Sequence, residues 1–399
     1  MSYPPLARRT RRIAPFRVME LVGRAVAREA AGHPVIHLSI GEPDFTAPGP
    51  VVEALESAAR AGLGRYTPAN GTPALRAAIS RWYAERFGID VSPARIVVTA
   101  GASGALTLAC CALVDPGDRV LLTDPGYPCN RHFVSAFDGE PVLVPVGPST
   151  RFQMSRSLLE AHWGAQARGV LISTPANPTG TSIAFDELGA IVEAVRERGG
   201  FTLVDEIYQG LDFSGDVHSA LSLGDDVIVA NSFSKYFNMT GWRLGWLVVP
   251  EALAPEFEKL AQNLFICPSA LAQHAALACF TPQAQAIFDE RRESFRARRD
   301  YIVPALRELG FGVPVEPDGA FYVYVDCSPF SDDSDAFCAE ILEAIDVSLV
   351  PGTDFGINQP QRYLRLSYAT SRENLEEAVR RLREYLGGRA RRPGRPART

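Results

Sequence analysis

Short apolar runs alternate with helical patterns through the middle of this chain, and that alternation narrows the fold more than any other feature. Strands are predicted at 95–99, 119–123, 142–145, 170–173, 202–205, 227–230 and 245–249, with helical stretches such as 103–113 and 185–198 between most of them. Alternation over roughly 150 residues argues for an α/β fold: a mostly parallel seven-stranded sheet sandwiched by helices. In such sheets ligands bind outside the carboxyl ends of the strands. Polar residues that directly follow an apolar strand are therefore the first functional candidates.

Near 281–301 the pattern changes to one long charged helix. Short strands at 321–326, 347–350 and 363–367 follow, mixed with helices at 335–344 and 371–386. This predicts a second, smaller α+β domain. The expected division is 48–285 for the large domain and 286–386 for the small one. Residues 13–47 are Pro-rich and expected to form an extended arm packing on the small domain. The Arg-rich ends, 1–12 and 387–399, are read as disordered.

Composition excludes several classes. A net charge of −6 leaves no electrostatic footprint for nucleic acid. No apolar run reaches bilayer length and no hydrophobic leader opens the chain, so neither a membrane nor a secretory role is expected. The seven cysteines are odd in number and contain no CxxC pair. That fits free thiols in a reducing cytoplasm, with no disulfide framework and no metal site.

Of 40 basic side chains only two are lysines, Lys235 and Lys259. Arginine replaces lysine wherever charge alone is needed. It fails where a neutral amine must attack a carbonyl, because a guanidinium does not deprotonate in proteins. Lys235 closely follows the apolar run 227–230 and is a candidate Schiff-base lysine. Lys259 lies on a charged helical face among Glu256 and Glu258 and reads as a solvated surface charge.

Other strand ends carry further candidates. Gly101, Ala102 and Ser103 open a helix after 95–99, where free backbone N–H groups suit a phosphate, although most such turns are only caps. Tyr127 follows 119–123 and fits either a stacking ring or a packed loop residue. Asn177 lies in Pro175-Ala176-Asn177-Pro178, where proline restricts the backbone and fixes the direction of the amide. Asp205 ends 202–205 and precedes Tyr208. A carboxylate there is either a helix cap or the partner of a buried cation, such as a protonated ring nitrogen. Ser232 and Arg243, three residues before Lys235 and eight after, are suitable phosphate ligands. Arg365, inside an apolar strand, is either an edge residue or a fork for a carboxylate.

Together these residues describe pyridoxal phosphate handling an amino acid. From about Gly41 to Ser371 the chain resembles the class I/II aminotransferases of pyridoxal-phosphate fold type I. The most specific segments are Ala176-Asn177-Pro178-Thr179-Gly180, Asp205-Glu206-Ile207-Tyr208 and the run from Ser232 to Arg243. The resemblance implies that Lys235 forms the Schiff base and then shuttles a proton. Asp205 would hold the pyridine nitrogen protonated, Tyr208 and Asn177 would bond the ring oxygen, and Tyr127 would stack. Gly101, Ala102, Ser103, Ser232 and Arg243 would hold the phosphate. Arg365, with Asn177 and the backbone of Gly41, would bind the substrate carboxylate. Tyr66, in Tyr66-Thr67-Pro68-Ala69-Asn70-Gly71, would reach across a homodimer to the other subunit's cofactor.

The implied activity is ping-pong transfer of an amino group between an L-amino acid and a 2-oxo acid. Ser103 stands where some aspartate-specific members carry lysine, and Asn130 where many carry an aromatic residue. Both favour a neutral or aromatic donor, while Arg131 next to Asn130 keeps acidic donors open. The alternatives on the same cofactor are a C–S β-lyase, a decarboxylase and an aminocyclopropane-carboxylate-type synthase. A cofactor-sensing regulator is a remote one, because too little chain precedes the resemblance for a DNA-binding module.

Overall fold

The computed structural model describes residues 4–15, 17–215 and 218–388. Most of the Arg-rich tail expected to be disordered, residues 389–399, lies outside the described residues, as do residues 1–3. At the other end Arg8–Arg11 form a short 3-10 turn, and Arg9 pairs with Asp138 at 3.0 Å.

Seven strands build the central sheet: β1 (Ile96–Thr99), β2 (Arg119–Asp124), β3 (Glu140–Pro145), β4 (Ala167–Ser173), β5 (Phe201–Asp205), β6 (Ile228–Ser232) and β7 (Gly245–Val248). Their spatial order is β1-β7-β6-β5-β4-β2-β3. Only β7 runs antiparallel to its neighbours. The α/β expectation therefore holds, and every predicted sheet strand is present.

Alternate residues along these strands face two separate cores, as a period-2 backbone requires. Leu171, Leu203 and Ile228 pack with the helix Gly101–Leu113 on one face. Val170, Ile172, Val204 and Val229 pack on the other with Ile79, Trp82 and Ile191. Burial on both faces explains why these strands read as continuous apolar runs. The register sets Ser173 beside Asp205, so the carboxyl ends of β4 and β5 lie level, while Asp205 pairs with Ala230 and β6 runs on to Ser232.

The long helix spans Pro282–Leu309 and runs past the predicted end, with Pro304 inside it. Beyond it, strands Tyr322–Asp326, Val350–Pro351 and Tyr363–Ser367 form a three-stranded antiparallel sheet with Tyr363–Ser367 in the centre. The single strand predicted at 347–350 is divided. Val347–Ser348 pairs in parallel with Ile36–His37, while Val350–Pro351 joins the three-stranded sheet.

The segment expected to be an extended arm is partly helical. Arg17–Ala30 form an amphipathic helix, with Val18 and Ala25 buried on one face. That spacing is a narrow helical stripe, hidden in the sequence by the prolines on either side. Arg28 pairs with Asp346 at 2.7 Å and with Glu343 at 2.5 Å, tying this helix to the end of the helix Ser334–Ile345.

Candidate active site

A cavity of about 380 Å³ opens at the carboxyl ends of β4 and β5. Gly41, Ala102, Ser103, Tyr127, Asn177, Asp205, Tyr208, Lys235 and Arg365 all line it. Nine sequence candidates from loops far apart in the chain thus meet in one place. Gly101, Ser232, Arg243 and Tyr66 do not line it.

Lys235 lies just past the end of β6 and is 8% exposed. Its Nζ donates to the carbonyl of Gly41 at 2.6 Å. Burial lowers its pKa to about 8, against an ordinary lysine near 10.5. Glu42 opposes that shift, and Arg365 and Arg243 add to it. Lys259, by contrast, is exposed and pairs with Glu256, as a surface charge should.

Asp205 ends β5 and is buried. Its Oδ1 accepts from the Ile207 N–H at 3.1 Å. Burial pushes its pKa up to about 6, with that hydrogen bond, Ser173 and the charge of Lys235 pulling it down. Ile207 N–H belongs to a turn rather than a helix, so the helix-cap reading gives way to a buried carboxylate suited to a cationic partner. Burial also pushes the phenols of Tyr127 and Tyr208 well above their ordinary range, so both stay protonated.

Arg365 occupies the central strand of the small sheet and is 2% exposed, which removes the edge reading. Its Nη1 donates to Asn177 Oδ1 at 2.9 Å and its Nη2 to the Ser39 carbonyl at 2.5 Å. Its Nε is buried without a hydrogen-bond partner. The guanidinium stacks between Tyr322, 4.5 Å from the ring centre, and Phe355, at 5.0 Å. A planar, fully charged fork held this way suits a carboxylate.

The helix Gly101–Leu113 begins without any side-chain cap, which leaves its first N–H groups available. Gly101 has φ +72°, and a β-carbon there would lie 2.7 Å from Arg243 Nη2. Arg243 itself adopts φ +55° and brings its guanidinium against that turn. A β-carbon on Gly245 would lie 2.9 Å from the Ala102 nitrogen, so β7 also presses close beneath the helix start. Ser232 of β6 pairs with Gly245 of β7, and its hydroxyl donates to Ser234 Oγ at 2.8 Å. A bare helix start with an arginine beside it has the donors and charge that suit an anion.

One sequence expectation changes. Arg131 is outside the main cavity and donates to the Asp354 carbonyl at 3.2 Å, so it adds no charge to the cavity wall. Asn130 is buried and donates to Ser173 Oγ at 3.4 Å. The sequence reading also missed residues. Val18 and Val22 reach the cavity from the amino-terminal helix, and Ile40, Glu42, Leu106, Ser173, Ile207 and Thr240 complete it. Tyr322, bonded to Tyr208 through the two hydroxyls at 2.8 Å, was hidden in an apolar strand. A tyrosine in such a run reads as core.

Tyr66 is 87% exposed, on a loop anchored by Gln273, which donates to Thr67 Oγ1 at 3.0 Å and accepts from Thr72 N–H at 2.8 Å. A fixed loop thus carries an aromatic ring away from this chain's own cavity.

Fold and cavity define an enzyme that moves amino groups. Residues 33–382 match the family model for aminotransferase class I and II, and the chain belongs to that family. It is 41% identical, over 94% of its own length and 97% of the relative's, to the valine–pyruvate aminotransferase of Mycobacterium tuberculosis. Among solved structures, an aminotransferase from the same organism superposes with a TM-score of 0.93 at 40% identity, covering 97% of this chain and all of that one. The aspartate aminotransferase of Thermus thermophilus with maleate superposes with a TM-score of 0.90 at 31% identity, covering 96% of this chain and all of that one. Members of the family use pyridoxal phosphate and act on amino and 2-oxo acids. The chain is an aminotransferase, and the lyase, decarboxylase, synthase and regulator readings fall behind that. Among the described residues no helix is long and apolar enough to cross a membrane.

Proposed function

We propose that this chain binds pyridoxal phosphate through Lys235 and transfers amino groups from a neutral, apolar L-amino acid. The observation that carries the reading is that Lys235 and Asp205, both buried, line one cavity. Burial lowers the pKa of the Lys235 amine and raises that of the Asp205 carboxyl, which the nearby charge of Lys235 only partly offsets. A pyridine ring carrying an aldehyde satisfies both at once.

The bound cofactor supplies the aldehyde that takes up the amino group and a ring that spreads the electron pair left at the substrate Cα. Asp205 keeps the pyridine nitrogen protonated. Tyr208 and Asn177 direct hydrogen bonds toward the ring oxygen, and Tyr127 stacks on the ring. The N–H groups of Gly101, Ala102 and Ser103, with Ser232 and Arg243, hold the phosphate. Arg365 and Asn177 orient the substrate carboxylate beside the Gly41 backbone. Lys235 then takes the proton from Cα and returns it on the far side of the transfer. Amino acid and 2-oxo acid occupy this site in turn, which gives ping-pong kinetics.

The donor reading rests on the cavity wall. Its only basic groups among the described residues are Lys235 and Arg365, and both have other work. Val18, Val22, Ile40, Leu106 and Ile207 give the remainder an apolar character. A distal carboxylate finds no partner there, and Glu42 opposes it. The similarity to a valine–pyruvate enzyme supports the same class.

The exposed Tyr66 and its anchored loop support a homodimer in which Tyr66 of the partner subunit reaches the phosphate. The reading also includes a cytoplasmic location and the division into 48–285 and 286–386, although the helix Pro282–Leu309 runs unbroken through 285.

With only two lysines in the chain, the attachment point is easily tested. The loaded protein is reduced with borohydride, digested and weighed. The expected mass increase falls on the peptide containing Lys235, and a label on Lys259 alone overturns the assignment.

A further inference from the structure

Tyr322 belongs to no segment that carried the resemblance, yet it touches three parts of the site at once. It opens the strand Tyr322–Asp326 of the small sheet, whereas Tyr208 follows β5 of the large one. Both side chains are buried, and their hydroxyls lie 2.8 Å apart. The Tyr322 ring also carries the Arg365 guanidinium at 4.5 Å. Its hydroxyl sits against Gly41, where a β-carbon would lie 3.0 Å from it, and the Gly41 carbonyl receives Lys235 Nζ.

A phenol has one proton to give. If Tyr208 spends its proton on the cofactor's ring oxygen, its own oxygen is left to accept from Tyr322. A hydroxyl that accepts one hydrogen bond donates the next one better. The Arg365 charge over the Tyr322 ring favours the same polarisation. The charged or titratable groups facing this pair are Arg365, Lys235, Asp205, Tyr127, Tyr368 and Glu42.

Resting on the proposed function, we infer that Tyr322 is a positioning residue: it donates to Tyr208 and so couples the carboxylate fork at Arg365 to the proton chemistry at Lys235. Tyr208 is the group that meets the cofactor, and Tyr322 acts through it.

The test uses the loaded full-length protein without substrate and follows the bound cofactor's absorbance against pH. Tyr208→Phe removes the direct donor and shifts the midpoint upward. Tyr322→Phe weakens that donor and shifts the midpoint the same way by a smaller amount, about 0.5 to 1 pH unit for one hydrogen bond. The double variant shifts no further than Tyr208→Phe alone, because Tyr322 has lost the group through which it acts. Isovalerate, a monocarboxylate without an amino group, moves the wild-type midpoint, and Tyr322→Phe reduces that movement at least about twofold. An unchanged midpoint in Tyr322→Phe, or shifts that add in the double variant, overturns the inference. Failure of the wild-type protein to load overturns the proposed function as well, so the two are distinguished. Tyr322→Trp, which lacks the hydroxyl and overfills the site, serves as a packing control: if it alone shifts the midpoint, the role is steric and the inference falls.

Discussion

Arg365 Nη1 donates to Asn177 Oδ1 at 2.9 Å, joining the centre of the small sheet to the loop that follows β4. The two residues are 188 positions apart, and neither is meaningful alone. The asparagine fixes the rotation of the guanidinium, and the stacking rings fix its plane. What remains is a fork aimed into the cavity.

That arrangement makes Arg365→Lys a severe change despite the retained charge. An ammonium cannot hold Asn177, Ser39 and a carboxylate in one plane. We expect KM for the amino donor to rise roughly 10- to 100-fold, with cofactor loading little changed, as a lost charge-assisted contact of about 1.5–3 kcal/mol implies. Steady-state kinetics and a loading titration check this. An unaltered KM contradicts the fork.

The lowered pKa of Lys235 sets a pH dependence for cofactor capture. Only the neutral amine attacks an aldehyde. An amine with a pKa of about 8 becomes half neutral there, so the rate constant for capture should climb from pH 7 and level off above about pH 9. Stopped-flow absorbance follows it. A rate still climbing through pH 10 means an ordinary lysine. Lys235→Arg should form no covalent bond at any pH and lose at least about a thousandfold in kcat.

Asp205 is a burden on the fold until the cofactor arrives. Its folded pKa of about 6 exceeds the ordinary 3.8 of the unfolded chain, so the folded state binds its proton more tightly. The stability this group contributes is therefore whole below pH 3.8 and lost as pH rises through 6. The difference amounts to about 2–3 kcal/mol for the cofactor-free protein near neutral pH. Asp205→Asn, which never ionises, should melt at a higher temperature than cofactor-free wild type at pH 8, with the gap narrowing toward pH 5. The same variant should hold the cofactor less well. Thermal melts with and without cofactor give both readings, and an Asn variant that melts lower at pH 8 contradicts the account.

Much of this was legible because the chemistry sits at strand ends. The inner strands of the large sheet are short runs covered on both faces, so hydrophobicity alone locates them and the polar residue after each one stands out. Lys235 was legible through an absence, the near-total use of arginine elsewhere. Relationships set by tertiary contact were not legible. The helix Arg17–Ala30 carries only a narrow apolar stripe between proline-containing segments, so the walls formed by Val18 and Val22 went unseen. Val347–Ser348 and Val350–Pro351 read as one strand, because nothing local says that the chain changes sheets between them. Arg131 is close in sequence to Tyr127 yet turns toward Asp354, and Tyr322 meets Tyr208 across 114 residues. Sequence spacing does not encode either direction.

The central claim is that this cavity takes an amino group from a neutral, apolar L-amino acid by way of Lys235. The most direct measurement is the absorbance of the loaded protein on adding L-valine alone, then pyruvate, with L-aspartate run in parallel. The account predicts that valine replaces the long-wavelength band of the bound cofactor with a shorter-wavelength one, that pyruvate restores it, and that aspartate acts far more slowly. A band that aspartate discharges as readily as valine contradicts the donor class, and a band that no amino acid moves contradicts the transfer itself.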